Sequence, residues 1–173
     1  SARADLTTGE VGAYVLASEG GRGRAISSWS ESVTILNPNV GATDTWALQF
    51  EISYHGLFTA LGDTVPGGFP SASSQLDLYV GGQPRVSFSD TTQFRANSSH
   101  NGPSTAGAFG MTLLNTRPGK PNETIYTLSR PVYGNSVSWG LQMNLDVRAQ
   151  DGYVADFGNT AGFAFNLPTG ATF

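Results

Sequence analysis

Residues 136–173 read SVSWGLQMNLDVRAQDGYVADFGNTAGFAFNLPTGATF and hold the most regular pattern of the chain. In the first part of this stretch, the apolar residues at every second position are Val137, Trp139, Leu141, Met143, Leu145 and Val147. This period of two predicts a long β-strand with one face on a core and the other in water. A polar break at residues 150–160 precedes a second alternation through Phe163, Phe165 and Leu167. We therefore expect two long strands joined by a polar connection.

A second segment of the same regularity lies at residues 44–58, DTWALQFEISYHGLF. Shorter strand candidates, separated by sequences rich in Gly, Pro, Asn and Ser, are residues 14–17, 29–36, 75–80, 85–88, 109–114 and 124–128. No segment has the apolar spacing of a surface helix. About nine strands without helices predict an all-β, two-layer antiparallel sandwich. A jelly-roll-like sandwich is favoured over the immunoglobulin-like alternative, because the Cys…Trp…Cys pattern of immunoglobulin domains is missing.

The composition fits one domain and excludes several classes of function. The chain has 173 residues, only 13% of them charged, and a net charge of −4 at pH 7, so we expect a single sandwich domain over residues 1–173. Nucleic-acid binding needs a basic stripe, and none is visible. The absence of cysteine excludes disulfides and thiolate metal sites. No apolar run approaches the length of a membrane-spanning helix.

Groups suited to catalysis are sparse in the sequence. His55 and His100 are the two histidines, and no G-x-S-x-G motif supplies a nucleophile for a triad. Glu51 and Asp146 both lie on the outer face of a predicted long strand, and they could form a carboxylate pair for glycoside hydrolysis if they approached each other. Solvated surface charge is the favoured interpretation of both. We expect no enzyme, no catalytic residue and no cofactor.

Calcium is the ion that the sequence suits best. Asp151, Asp156 and Asn159 supply hard oxygen donors at short spacing. The segment matches neither an EF-hand loop nor an RTX nonapeptide, and Asp and Asn also stabilise turns. We interpret residues 150–160 as a turn and expect no bound metal, with these three residues as the calcium candidates.

Three aromatic residues are candidates for carbohydrate binding, because rings stack on the faces of sugars. They are Trp29, Tyr79 and Tyr133. Trp46 and Trp139 fall in step with the core residues of their strands, so we expect them to be buried.

Two N-x-S/T sequons stand in predicted loops, at Asn97 and Asn122. Both asparagines are candidate glycosylation sites on the surface of the sandwich, provided that the source modifies such sites.

The segment ADFGNTAGFAFNLPTGATF, residues 155–173, resembles a recurrent ending of bacterial secreted proteins that carry a PEP-CTERM sorting tail. The matching residues are Asp156, Phe157, Asn159, Thr160, Ala161, Leu167, Pro168 and Gly170. The Pro-Glu-Pro motif, apolar helix and basic end of that tail do not follow within the 173 residues. The resemblance implies an exported, surface-associated β-sandwich, of a kind found with exopolysaccharide and biofilm matrix, and it carries over no catalytic residue.

We expect an extracellular or cell-surface protein, in keeping with a chain that begins at Ser1 rather than methionine. The favoured function is a non-enzymatic structural subunit that self-assembles into a matrix, sheath or filament, with β-strand exchange as its route. Residues 1–20 are a possible donor or edge strand, followed by glycines at positions 20–23. The alternative is a carbohydrate-binding module for polysaccharide.

Overall fold

The structure, a computed structural model, describes residues 1–5, 7–18, 20–62, 71–81, 86–93, 99–101, 111–119 and 123–173. These residues form twelve β-strands, and none of them belongs to a helix that could cross a membrane. The strands are β1 (Ala2–Asp5), β2 (Glu10–Ala17), β3 (Arg22–Leu36), β4 (Thr45–His55), β5 (Leu57–Ala60), β6 (Ser71–Val80), β7 (Val86–Gln93), β8 (Ser99–Asn101), β9 (Thr112–Pro118), β10 (Glu123–Tyr133), β11 (Ser136–Gln150) and β12 (Tyr153–Asn166).

The strands form two antiparallel sheets that pack face to face around one core. The seven-stranded sheet has the order β1-β2-β12-β4-β10-β9, with β5 paired to β12, and the five-stranded sheet has the order β3-β11-β6-β7-β8. The central strands β2-β12-β4-β10 thus face β3-β11-β6-β7, and β2, β3, β4 and β6 alternate between the sheets along the chain. This is the topology of a jelly roll, so the predicted two-layer, jelly-roll-like sandwich is confirmed.

β11 is a central strand, as its regular alternation predicts. It pairs with all 15 residues of β3 on one side and with β6 on the other. Its odd-numbered residues face the core, where Leu141, Met143, Leu145 and Val147 are buried. Its even-numbered residues form the outer face of the sheet.

The connection after β11 is much shorter than expected, and the prediction of a polar break over residues 150–160 is wrong. Asp151 and Gly152, at φ values of 52° and 87°, form the turn, and β12 begins at Tyr153. Tyr153, Ala155 and Phe157 are buried and continue the inward alternation. Turn-forming residues on both sides of this short alternation, Asp151 and Gly152 before it and Gly158 after it, hide it in the sequence.

The segment at residues 44–58, expected as one strand, is divided into β4 and β5. β4 pairs with β10 and with the second half of β12, whereas β5 pairs with the first four residues of β12. Gly56 separates the two strands, and a Cβ at this position would overlap the ring of Phe157. The six shorter candidates each overlap a longer observed strand, although residues 85, 109 and 110 lie outside the described residues.

The centre of the core is rich in aromatic rings. Phe50, Tyr54, Phe88, Tyr126 and Phe157 are at most 2% exposed, and burying each such ring stabilises the fold by about 1.5–3 kcal/mol. The ring centroids of Phe88 and Tyr126, from opposite sheets, are 4.4 Å apart. The core therefore joins the two layers over their whole central area.

Candidate functional site

The outer edge of β3 presents backbone hydrogen-bonding groups to a neighbouring strand. β3 is the outermost strand of its sheet among the described residues. At its last residue, the Leu36 N–H donates to the Thr172 carbonyl, and the Thr172 N–H donates to the Leu36 carbonyl. Each of these two hydrogen bonds has a length of 2.9 Å. The backbone groups of Leu36 therefore point away from β11, toward the edge.

The same orientation recurs at every second residue, because backbone groups alternate sides along an antiparallel strand. Thr34, Ser32 and Ser30 therefore also direct their N–H and C=O groups outward, and no described strand pairs with them. Residues 30–34 make a free edge of about 17 Å at the usual rise per residue. Such an edge can accept a strand from another chain.

A groove of about 640 Å³, here called the β3 groove, lies beside this edge between the two sheets. Its apolar lining consists of Trp29 and Val33 of β3, Phe163 and Phe165 of β12, and Phe173. Centroid distances are 6.3 Å from Trp29 to Phe163, 4.8 Å from Phe163 to Phe165 and 5.6 Å from Phe165 to Phe173. Phe163 and Phe165 face the interior but are only half-buried. The β3 groove is therefore an unfilled part of the core.

The turn between β1 and β2 forms a wall of the β3 groove. The Asp5 carboxylate accepts the backbone N–H groups of Thr7 and Thr8 at 2.8 and 3.3 Å, which fixes this turn. Gly9, at a φ of 68°, accepts the N–H of Phe163 at 3.2 Å, and a Cβ at Gly9 would lie 2.9 Å from the Phe163 carbonyl oxygen. Backbone contacts thus hold the wall in place.

Two polar groups distinguish the β3 groove from a simple packing defect. Trp29 is 7% exposed, and its indole N–H has no hydrogen-bond partner. Glu31 occupies an inward register position of β3, between Trp29 and Val33, yet it is exposed and lines the groove. None of the described basic side chains forms an ion pair with Glu31. The groove therefore suits a segment that combines apolar side chains with a basic one.

A second depression, here called the Tyr79 cleft, lies on the outer face of the five-stranded sheet. It measures about 600 Å³ and is lined by Ser30, Glu31, Ser32, Tyr79, Gly140, Leu141 and Gln142. Its floor is open because Gly140 has no side chain and no atom lies within 4 Å of the place that a Cβ would take.

The three aromatic carbohydrate candidates lie in different places. Trp29 is in the β3 groove, and Tyr79 is a half-buried wall of the Tyr79 cleft. Tyr133 is 70% exposed at the end of β10, in the other sheet. They do not form one platform. Trp139 is buried, as its register predicts, whereas Trp46 packs against the core but is only half-buried.

The calcium candidates are divided between a turn and a strand. Asp151 stands in the turn after β11, whereas Asp156 is exposed on β12, and only the backbone of Asn159 is described. The chain between Tyr153 and Asp156 rises about 3.3 Å per residue, so the two carboxylates do not share one loop. Within the described ranges, no group of three or more His, Cys, Asp or Glu residues could hold a metal ion. The sequon asparagines, Asn97 and Asn122, lie outside those ranges.

Glu51 and Asp146 lie on opposite outer faces of the sandwich, so they do not form a carboxylate pair. Glu51 belongs to β4 of the seven-stranded sheet and Asp146 to β11 of the five-stranded sheet. Hydrogen bonds from Arg117, at 3.1 and 3.3 Å, lower the pKa of Glu51. Hydrogen bonds from Arg24 are the main cause that lowers the pKa of Asp146 to about 2, and Arg148 adds to them. Each carboxylate is thus held in its own surface ion pair.

The fold and the two depressions define the class of this chain as a jelly-roll sandwich with an open sheet edge above an aromatic groove. Neither the comparison with models of protein families nor the comparison with curated proteins gives a match.

Glu31 is not among the candidate site residues from the sequence, although its position in the strand pattern marks it as a charge at an inward position. Trp29, Val33 and Ile35 all face inward on β3, and Glu31 is the charged residue in that row. An inward-facing charge on an edge strand is a known device against unwanted pairing, and it also gives a wanted partner a charge to recognise.

Proposed function

We propose that this chain is a non-enzymatic extracellular structural subunit that self-assembles into a matrix, sheath or filament by strand addition. The observation that carries the proposal is the free edge of β3 at residues 30–34, beside the unfilled β3 groove. A strand added there would gain backbone hydrogen bonds from the edge and apolar contacts from the groove. The resemblance of residues 155–173 to secreted surface proteins supports the extracellular location.

The opposite flank of the same sandwich offers a strand that matches the β3 groove. β3 packs near β1 and β2, whereas β9 is the last described strand at the other end of the seven-stranded sheet. β9 carries Leu113 and Leu114, of which Leu114 is 50% exposed, together with Arg117. Exposed leucines suit the aromatic lining of the groove, whereas Arg117 is already paired with Glu51 of its own chain at 3.1 Å.

An interface between β9 of one copy and β3 of the next is heterologous, because the two copies contribute different surfaces. Contacts of this kind generate rings when the rotation closes and open filaments when it does not. Since the two edges lie on opposite flanks, each subunit has one edge left to extend the assembly. The N-terminal strand β1 pairs within its own sandwich as an edge strand, so this route does not need it as a donor.

Sedimentation velocity over a range of concentrations tests the proposal. The wild-type chain is expected to associate, and Ser32→Pro is expected to remain monomeric, because it removes an outward N–H without touching the β3–β11 ladder. Leu114→Asp, which puts a charge of the same sign as Glu31 on the β9 edge, is expected to act likewise. Leu16→Asp is the matched control, since Leu16 is 55% exposed on the outer face of β2 and lies away from both edges.

Mixing the two defective variants gives the sharper result. Ser32→Pro keeps its β9 edge and Leu114→Asp keeps its β3 edge, so an equimolar mixture should form heterodimers that do not grow further. A wild-type chain that stays monomeric at every concentration would contradict the proposal. Association that survives Ser32→Pro would show that assembly does not use this edge.

A further inference from the structure

The Tyr79 cleft runs across the strands of the five-stranded sheet. On the outer face of this sheet, residues opposite one another on adjacent strands form rows of side chains, and two neighbouring rows differ in height. One row consists of Ser30, Gln142 and Tyr79, which are directly opposite one another on β3, β11 and β6. In the next row, Ser32 stands opposite Gly140. The second row has no side chain larger than serine on these two strands, so the Tyr79 ring and the Gln142 amide form a wall above it.

The hydrogen-bonding groups at this cleft are free, whereas their neighbours on the same face are paired. In the row next to Ser32 and Gly140, the Thr34 and Ser138 hydroxyls are 2.7 Å apart and hydrogen-bonded. In the other direction, Gln75 and Ser87 donate to the Asp77 carboxylate at 3.0 and 2.7 Å.

In contrast, the side chains of Ser30, Ser32 and Tyr79 have no hydrogen-bond partner among the described residues. Gln142 makes one long bond, 3.3 Å, to Asn144. Free donors and acceptors therefore surround the open floor at Gly140.

We propose that the Tyr79 cleft binds a neutral polysaccharide. A half-buried tyrosine offers a ring for a sugar face and a hydroxyl at its tip. The serine hydroxyls and the glutamine amide each donate and accept hydrogen bonds, as do the hydroxyl groups of a sugar.

Glu31 borders the cleft from its inward register position, and its carboxylate together with the net charge of −4 disfavours acidic polysaccharides by charge repulsion. The cleft opens on the outer face of the sheet, and two of its serines, Ser30 and Ser32, belong to the edge strand β3.

Affinity gel electrophoresis tests this proposal, with laminarin, dextran, galactomannan and hydroxyethyl cellulose as neutral probes and alginate as the acidic probe. At least one neutral polysaccharide is expected to retard the wild-type chain, and alginate is expected not to do so. Tyr79→Ala should raise the dissociation constant obtained from the retardation by about tenfold or more. Gly140→Val should do the same by filling the floor, and Tyr79→Phe, which keeps the ring, should retain most of the binding.

Tyr133→Ala is the matched control, because it removes a more exposed tyrosine from the other sheet and should leave retardation unchanged. Urea midpoints of all variants show whether each of them is folded. The proposal is overturned if no neutral polysaccharide retards the chain, or if alginate retards it equally. Retardation that folded Tyr79→Ala and Gly140→Val both keep would also overturn it, since binding would then lie elsewhere.

Discussion

The guanidinium of Arg130 lies 4.6 Å from the centre of the Trp139 ring and donates a hydrogen bond of 2.6 Å to the Val80 carbonyl. Arg130 belongs to β10 of one sheet, whereas Trp139 and Val80 belong to β11 and β6 of the other. Partial burial lowers the pKa of Arg130, although an arginine stays charged at any physiological pH. One side chain thus links the two layers at the end of the sandwich through a cation–π contact and a charged hydrogen bond.

Replacing Arg130 with methionine is expected to lower the free energy of unfolding by about 2 kcal/mol, because the Val80 carbonyl and the Trp139 ring both lose a charged partner. Arg130→Lys keeps the charge but not the planar fork, and it should recover about half of the loss. Urea denaturation followed by tryptophan fluorescence measures both changes. Equal stability of Arg130→Met and the wild type would show that this contact does not join the sheets.

A buried pair of hydroxyls, Tyr54 on β4 and Ser74 on β6, forms a second polar link between the layers. Tyr54→Phe should destabilise the fold by about 1–2 kcal/mol, since it leaves the Ser74 hydroxyl buried without this partner. Adding Ser74→Ala to Tyr54→Phe should then be neutral or stabilising, although Ser74→Ala alone is destabilising. A double-mutant cycle by urea denaturation measures the coupling, and additive effects of the two substitutions would contradict it.

The ion pair at Asp146 predicts a specific dependence of stability on pH. Its pKa falls from the ordinary 3.8 to about 2 in the folded chain, so the carboxylate stabilises the fold fully above pH 4 and progressively less as the pH falls toward 2. Because the pair is open to solvent, Asp146→Asn should cost only about 1 kcal/mol at pH 6. The difference from the wild type should nearly vanish at pH 2, in urea titrations at both values.

Glu31→Gln is the control for this pH effect, since it removes a carboxylate that no described arginine pairs with. The loss of stability in Glu31→Gln at pH 6 gives the cost of removing an unpaired carboxylate, and the loss in Asp146→Asn should exceed it. If Asp146→Asn were as destabilising at pH 2 as at pH 6, charge pairing would not be the cause of its effect.

The sequence predicts the sandwich well wherever one face of a strand is uniformly apolar. β11 is the clearest case, because every inward residue from Val137 to Val147 is apolar and every outward residue is polar or glycine. The first half of β12 was not predictable in this way. Turn-forming residues surround Tyr153 and Phe157, so a short inward alternation looked like part of a loop.

The two depressions depend on residues that are distant in the sequence. Trp29 meets Phe163 only because β3 and β12 lie at the same side of opposite sheets, and this follows from the jelly-roll connections. Likewise, Tyr79 stands beside Gly140 because of the register between β6 and β11. Periodicity identifies the face on which a residue lies, but it does not determine which strand becomes its neighbour.

Two glycines in the structure should respond in opposite ways to the same substitution. A Cβ at Gly56 would overlap the ring of Phe157, which is fully buried and packs on Phe58 with 5.1 Å between ring centroids. Because that ring has no room to move, Gly56→Ala should destabilise the fold by about 1–3 kcal/mol. Gly140→Ala meets no atom within 4 Å and should be neutral or stabilising by about 0.5 kcal/mol, as expected for alanine in a strand. Thermal and urea unfolding measure both variants, and similar losses at the two positions would show that the Phe157 ring does not crowd a side chain at Gly56.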